Sequence, residues 1–392
     1  MQEVTGSTPV FSTLAVLFSG QPFLCLKGGA MQDRNRHNWR RIERKIIMSA
    51  DKEWLYGKTS GELRQVAAET GMKPYAAAQI ASWLYKRNIA SVGEMTDISI
   101  RDREALSEKY TVGAIPPAKA DVSADGTKKY LFPTLNGGLI ESAYIPDADR
   151  ATLCVSSQAG CRMGCRFCMT ARQGFQHDLS SGEILNQIKS IPEREKLTNI
   201  VYMGMGEPLD NLGEVLKSIE ILTSDWGYGR SPGRVTLSTI GVIPAMREFL
   251  LHSKAHLAVS LHNPFHEERL AMMPAENKYP VKDVVAEIRR HDFTHQRRVS
   301  FEYILFRGIN DSSRHVAELG RLLAGLKCRI NLIRFHETDD TPYKSADGKI
   351  MAAFRDALTA KGFTTTIRAS RGEDIRAACG LLSTREMLRE RE

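Results

Sequence analysis

The stretch TLCVSSQAGCRMGCRFCMT, residues 152–170, decides how the chain is read. Its first six residues form a short apolar run, the pattern of a buried strand. Three cysteines, Cys161, Cys165 and Cys168, then fall within eight residues. Thiolates packed this densely hold a soft metal, and left free they would be an oxidation hazard. Zinc needs a fourth Cys or His, and His177 is the only close candidate. A four-cysteine ferredoxin run needs another cysteine nearby, usually followed by proline, and none is present. The Cys-x3-Cys-x2-Cys spacing therefore fits a cubane cluster held at three corners, its fourth iron left open. Phe167, just before the last cysteine, is placed to shield that cluster from water. A zinc site through His177 and a set of inert buried thiols are the rival readings.

Downstream the pattern becomes regular. Strand-like runs follow at 199–205, 234–239, 256–261, 299–305, 329–335 and 364–370. Helix-like segments separate them, near 181–191, 211–223, 243–252, 281–290, 312–325 and 347–361. Alternating β and α with nearly continuous apolar strands means a parallel sheet covered by helices. Six such units suit an open or complete TIM-like barrel, although a doubly wound sheet has the same local signature. In either architecture the site forms at the C-terminal ends of the strands. There the cysteine loop follows strand one and GMGEP follows strand two. Ser238 ends strand three, Ser260, Leu261 and His262 end strand four, and His336 follows strand six.

Upstream, residues 50–110 read as a small helical unit. SGELRQVAAETG has an N-cap serine and a terminal glycine, and PYAAAQIASWLYKR carries Ile80, Trp83 and Leu84 along one face. Residues 119–146 read as a β-meander, with turns at Asp125-Gly126 and Asn136-Gly137. The first 47 residues look foreign to the rest: an apolar stretch with scattered Ser, Gly and Pro, then a basic one, net +4. A secretory signal would begin with basic residues, and Glu3 stands there instead. Met48 is the expected true start, with a disordered basic arm and a targeting peptide as the rivals.

The whole chain of 392 residues carries a net charge of +8, which makes an anionic partner worth considering. Seven cysteines, three of them bunched, are too few for a disulfide scaffold and favour a reducing, cytoplasmic setting. No apolar run reaches the roughly 18–20 residues that a membrane span requires.

The cysteine loop resembles the signature of radical S-adenosylmethionine enzymes, and MGMGEP (203–208) resembles their GGE-type motif. RATLCVSSQAGC places Cys154 seven residues before the loop, RASRGEDIRAACGLL places Cys379 near the C-terminus, and Glu141 lies thirteen residues before Cys154. Together these flanks resemble the radical S-adenosylmethionine adenine methyltransferases of the RlmN type, over about residues 52–385. The resemblance implies an α/β fold: a partial (β/α)6 TIM-like barrel at 151–385, a helical RNA-binding accessory domain at 48–112 and a β-hairpin extension at 113–150. A leader at 1–47 and a tail at 386–392 complete the expected organisation.

It also implies a reaction. Such enzymes methylate C2 of an adenosine in 23S ribosomal RNA, in its peptidyl-transferase region, and in some transfer RNAs. They use one 4Fe-4S cluster and two molecules of S-adenosylmethionine per turnover. Adenine C2 is electron-poor, so direct polar methyl transfer should be very slow. By resemblance, Cys379 carries the methyl group as S-methylcysteine and Cys154 resolves the product through a transient disulfide with Cys379. Glu141 accepts the C2 proton, and Cys161, Cys165 and Cys168 hold the cluster. Gly206, Glu207, Ser238, Ser260, Leu261, His262 and His336 contact the cofactor. The family commonly has asparagine where this chain offers His336. Ribosomal and transfer RNA, a reductant such as flavodoxin or ferredoxin, no membrane and a monomeric state complete the implied setting. The C8 branch of the same family shares these motifs, and MMPAENKYP (272–280) favours C2. A glycyl-radical activase would not need the pair Cys154 and Cys379. A non-enzyme, an electron carrier or zinc-stabilised RNA-binding module, would not cleave S-adenosylmethionine. RRHDFTHQRR (289–298) is a candidate phosphate contact with Phe293 between its arginines, but it reads better as a solvated helix end and loop and precedes strand five, nearer the far rim.

Overall fold

The computed structural model describes residues 52–293, 298–338, 341–378, 380–382 and 384. The expected leader, the tail and Cys379 lie outside the described residues.

A ten-stranded sheet organises the chain, and its strands lie side by side in the order of the sequence. They are β1 (Lys119–Val122), β2 (Lys128–Pro133), β3 (Leu139–Asp147), β4 (Arg150–Cys154), β5 (Asn199–Tyr202), β6 (Val235–Thr239), β7 (His256–Ser260), β8 (Val299–Leu305), β9 (Arg329–Arg334) and β10 (Thr364–Ile367). The first four pair antiparallel, as the expected meander. From β4 to β10 every pairing is parallel. A parallel strand must be reached by a crossover, and each crossover is a helix. These are α5 (Ser181–Lys189), α6 (Leu212–Thr223), α7 (Ile243–His252), α9 (Val281–Ile288), α10 (Ser313–Leu323) and α11 (Gly348–Ala360). Two short helices in loops at the strands' C-terminal ends, α4 (Met169–Gln173) and α8 (His266–Met272), complete the series.

The sheet curls. Thr152 and Cys154 of β4 face the same cavity as Asn331 and Ile333 of β9 and Thr366 of β10, strands that are not neighbours. The curl stops short of closure because β3 occupies the edge of β4 that β10 would need. The result is an open (β/α)6 barrel followed by a seventh parallel strand. Arg371, just beyond β10, reaches Asp147 of β3 across the gap at 3.6 Å.

The helical unit holds α1 (Ser60–Glu69), α2 (Ala76–Tyr85) and α3 (Ile100–Lys109). Sequence reading placed the first cap on a serine, but the cap is Thr59. Its hydroxyl accepts from the Glu62 amide, and Glu62 Oε2 returns a bond to the Thr59 amide at 2.7 Å. Thr precedes Ser here, and only Thr59 has a glutamate three residues on to close the reciprocal box. Ile80, Trp83 and Leu84 are buried as their spacing predicts, whereas α3 was not singled out because only Leu106 on it is buried. The unit sits against the barrel at backbone distance: a Cβ on Gly182 of α5 would come within 2.5 Å of the Tyr56 carbonyl oxygen.

One buried cation braces the rim where the strands end. Arg269 of α8 is fully buried. Its guanidinium donates to the carbonyls of Ile240 (3.0 Å), Ser260 (2.9 Å) and Leu261 (2.9 Å), just past β6 and at the end of β7. It also pairs with the buried carboxylate of Glu276, which accepts from the Val281 amide opening α9 at 3.0 Å. Replacing Arg269 with Met strands Glu276 as a buried, unpaired charge and should cost about 3–5 kcal/mol. Urea denaturation of R269M against R269M/E276L checks this: the double variant should recover part of the loss.

Candidate functional site

Three sets of functional side chains converge on the C-terminal rim of the barrel. The first is the cysteine loop after β4. Gly160 turns the chain into it with φ +77°, and its Cα lies so close to the Gly174 carbonyl that any Cβ would overlap that oxygen. Cys161 and Cys165 are buried and Cys168 is half-buried. Burial pushes the Cys161 thiol up to about 12, and burial together with the neighbouring Cys168 holds Cys165 well above the usual thiol range. Three thiolates side by side in this setting require a strongly positive partner. All three line one cavity of about 150 Å³ with Phe167, Gly206, Glu207, Ser238, Ser260 and His262. No three His, Cys, Asp or Glu side chains among the described residues close on a single point, as one zinc ion demands. His177 lies elsewhere, its ring against Gly138. A multi-iron cluster, which takes one thiolate at each of three corners, fits this donor set.

Phe167 is buried in the same apolar cluster as Cys165. Its ring meets His262 edge-on at 5.2 Å and lies 5.4 Å from Phe306.

The second set brings the ends of β5, β6 and β7 against that cavity. Gly206 adopts φ +99°, and a Cβ there would come within 2.6 Å of Gln158 Cβ. The turn after β5 therefore lies flat against the start of the cysteine loop. Gln158 Oε1 accepts from the Glu207 amide at 2.8 Å and fixes this contact. The Glu207 carboxylate is spent on structure: it accepts from Leu209 N (3.1 Å) and Ile240 N (2.9 Å). Burial raises it to about 7 despite those bonds. What the turn leaves for a ligand is its backbone.

His262, at φ +54°, accepts from the Ile304 amide through Nδ1 at 3.1 Å. Burial and the Arg269 charge push its imidazole down to about 3, so it is neutral with its proton on Nε2. Leu261 faces the core, and only its backbone belongs to the rim: its amide donates to the Glu302 carbonyl at 3.0 Å.

The third set lines a larger cavity of about 490 Å³ that contains Cys154, His336, Ala377, Ala378 and Leu382. Met203, Ile333 and Arg368 line both cavities, so the two adjoin. His336 belongs to this second space, with Nδ1 3.7 Å from Glu373, and does not line the cysteine cavity. Cys379 is outside the described residues, but its described neighbours touch both spaces. Ala377 and Ala378 line the larger and Gly380 the smaller, and the Gly380 carbonyl accepts from Met169 N at 2.9 Å.

Glu141 is buried on β3 and ion-paired with Lys129 Nζ at 3.0 Å. Ala143 is in register with Cys154, and Glu141 lies two residues along β3. With a side-chain period of two, Glu141 shares the face of the sheet that Cys154 occupies.

Sequence reading missed two residues. Arg368 donates to Met203 Sδ at 3.4 Å on the boundary of the two cavities. Glu302, in register with Ser260, is buried on β8 and lines the cysteine cavity. Its Oε1 accepts from Ser300 (3.0 Å) and Asn331 (2.8 Å), while its buried Oε2 has no hydrogen-bond partner among the described residues. A carboxylate inside the apolar run VSFEYIL was the signal for it. Phe293 of RRHDFTHQRR packs on the core, and residues 294–297 of that stretch lie outside the described residues.

Comparison with known proteins agrees with this layout. Residues 155–320 match the Radical SAM superfamily, and residues 54–112 match the ribosomal RNA large subunit methyltransferase N-terminal domain. A "probable dual-specificity RNA methyltransferase RlmN" of Parabacteroides distasonis is 54% identical over 334 residues, which cover 85% of this chain and 97% of that protein. The dual-specificity RNA methyltransferase RlmN of Syntrophus aciditrophicus is 42% identical, covering 82% of this chain and 94% of that one. The crystal structure of a radical SAM methyltransferase from Sphaerobacter thermophilus superposes with a TM-score of 0.79 at 36% identity, covering 84% of this chain and 99% of that one. An open barrel with a three-cysteine loop at its rim, a matching N-terminal unit and this identity over most of the chain have one meaning: the chain belongs to the RlmN family of radical S-adenosylmethionine RNA methyltransferases.

Proposed function

We propose that this protein methylates C2 of an adenosine in 23S ribosomal RNA and in some transfer RNAs, using two molecules of S-adenosylmethionine per turnover. The observation that carries this reading is the pair of adjoining cavities. One presents three cysteines, the other presents Cys154, and the segment on either side of Cys379 touches both.

Cys161, Cys165 and Cys168 would hold three corners of a 4Fe-4S cluster, and Phe167 would keep water from it. The backbone at Gly206 and Glu207, with Ser238, Ser260 and His262, would hold S-adenosylmethionine. Bound there, the cluster and S-adenosylmethionine supply a carbon radical strong enough to take hydrogen from a methyl group.

The rest falls to the chain's own side chains. The Cys379 thiolate takes a methyl group from a sulfonium and becomes a thioether, ordinary chemistry for a soft nucleophile. That carbon, once it has lost a hydrogen atom, bonds to C2. Glu141, held by Lys129, accepts the C2 proton. The Cys154 thiol then attacks the Cys379 sulfur: the carbon–sulfur bond breaks, the thiol proton completes the new methyl group, the adduct's unpaired electron leaves to a one-electron redox partner, and a Cys154–Cys379 disulfide remains. Two electrons from a flavodoxin- or ferredoxin-like donor reset it. The target base has to leave its stack to enter, at a cost of about a few kcal/mol. The helical unit would serve as the RNA-binding accessory domain.

Three outcomes are expected. Mass spectrometry of the anaerobically reconstituted enzyme should find an S-methyl group on Cys379. The Cys154→Ala variant should accumulate a covalent RNA–protein adduct; normal turnover without adduct would refute the resolving role. Nuclease digestion of the RNA product should yield 2-methyladenosine, and 8-methyladenosine in its place would move the protein to the C8 branch.

Glu302 lines the cysteine cavity and its buried Oε2 has no hydrogen-bond partner among the described residues; its carboxylate would pair with a donor on the bound cofactor, as acidic residues do with ribose hydroxyls in other nucleotide sites. Glu302→Gln should weaken S-adenosylmethionine binding about tenfold, the scale of one hydrogen bond to a charged group. Equilibrium dialysis reads this directly, and RNA affinity should not change.

A further inference from the structure

The opposite rim of the barrel holds a second site of different character. A cavity of about 290 Å³ lies where the C-terminal ends of α2 and α5 meet the chain leading into β5 and β6. Lys86, Lys189, Arg194 and Arg230 line it, with Tyr85 and Tyr228 as aromatic walls. Glu195 is the one carboxylate in the lining; it is exposed and already pairs with Arg194 Nε at 2.9 Å. Glu94, the other acid close enough to feel Lys189, spends Oε1 on the amides of Ala90 and Ser91 at 2.9 and 2.8 Å. Four cations thus face one cavity with about one balancing charge.

Two of these cations are built in. Lys189 is 6% exposed. Its ammonium donates to Asn88 Oδ1 (2.8 Å) and the Ile89 carbonyl (2.9 Å) and lies 5.0 Å from the centre of the Tyr56 ring, a weaker contact than its third proton would make with an anion. Arg230 is held by a bond from Nη1 to the Leu197 carbonyl at 2.7 Å, while its Nε is buried with no hydrogen-bond partner among the described residues. A buried donor of this kind costs stability unless something pairs with it. Burial first, then the Arg194 charge, pushes Lys189 down to about 8, the direction expected where an anion is wanting. The negative ends of α5 and α2 account for cations at Lys189 and Lys86, but not for Arg194 and Arg230.

We propose that this pocket binds a phosphate group, through Lys189, Arg194 and Arg230. Planar guanidinium groups match phosphate geometry, and a point-charge ammonium between them completes a three-sided cradle. The phosphate has two possible sources: the backbone of an RNA held across the barrel from one rim to the other, or a free phosphate or nucleotide. The site lies at the far ends of the strands from Cys154, so it does not depend on the chemistry proposed for Cys379.

The test uses the full-length, cluster-loaded protein and the variants Arg194→Gln and Arg230→Gln. Arg194 is only half-buried, so its variant should fold even if removing Arg230 harms the structure. In one arm, inorganic phosphate is titrated at constant ionic strength against chloride, reading the fluorescence of Trp226, whose ring lies 5.9 Å from Tyr85. In the other, RNA affinity is measured across salt concentrations. Loss of one phosphate contact should lower the log–log salt slope by about 0.7–0.9 and weaken binding uniformly across sequences. A phosphate response present in the parent and absent in both variants assigns the site to free phosphate. A shallower slope in the variants assigns it to RNA backbone. If phosphate leaves the parent's fluorescence unchanged and the variants keep the parent's slope, the proposal is overturned.

Discussion

Arg269 is the constraint on which the rim depends. A guanidinium taken wholly out of water is costly, and its partners repay that cost only if every donor is placed. Arg269 meets the requirement by gathering three carbonyls and one carboxylate. Those carbonyls belong to the chain directly after β6 and at the end of β7, where the cysteine cavity takes part of its wall. The same segment reaches the cysteine loop, since the Met272 carbonyl accepts from Arg166 N at 3.0 Å. One buried ion pair therefore sets the spacing between the loop that would hold the cluster and the strand ends that would hold S-adenosylmethionine. Its charge also helps keep His262 neutral, so the imidazole can accept from Ile304 and fix that strand end.

Most of the architecture was legible in the sequence because a buried parallel strand has little freedom. Covered on both faces, it must be apolar at nearly every position, and the inner parallel strands stood out as such runs; β10 (TTTI) is largely exposed and has only one apolar residue. The helices between them emerged within two residues or so at each end, the range over which helices fray. The meander was equally readable, because Asp125-Gly126 and Asn136-Gly137 are turns that few other pairs can make; both glycines have φ near +82° to +83°. What escaped was whatever depends on contacts far apart in the chain. The choice of Thr59 over Ser60 as cap turns on a reciprocal side-chain bond. The third helix of the N-terminal unit buries a single leucine, so it has no periodicity to detect.

The site shows the same division. Cys161, Cys165 and Cys168 are close in sequence, and their convergence needed no fold to foresee. Ser238, Ser260 and His262 could be placed on one rim because every parallel strand ends there. His336 is the counterexample: following strand six puts it on the rim, but which of two adjoining cavities it enters depends on how the barrel curls. Glu302 was overlooked because it sits inside a strand and not at its end. Its importance rests on the absence of a partner for Oε2, a property of the packed barrel alone.

Incomplete closure is what joins the two cavities. In a closed barrel β10 would pair with β4, and Cys154 would face an interior sealed by side chains. Here β3 takes that edge, so the interior opens sideways beside Cys154 and the segment after β10 lies across the opening. That segment can then be held at separate points, by Asp147 through Arg371 and by α4 through the Gly380 carbonyl. A loop anchored in this way lines the Cys154 cavity with Ala377 and Ala378 and the cysteine cavity with Gly380. Chemistry that needs one sulfur to meet a cofactor first and a second thiol later requires such an arrangement. The antiparallel β3, besides extending the sheet, supplies both the open edge and the face that carries Glu141.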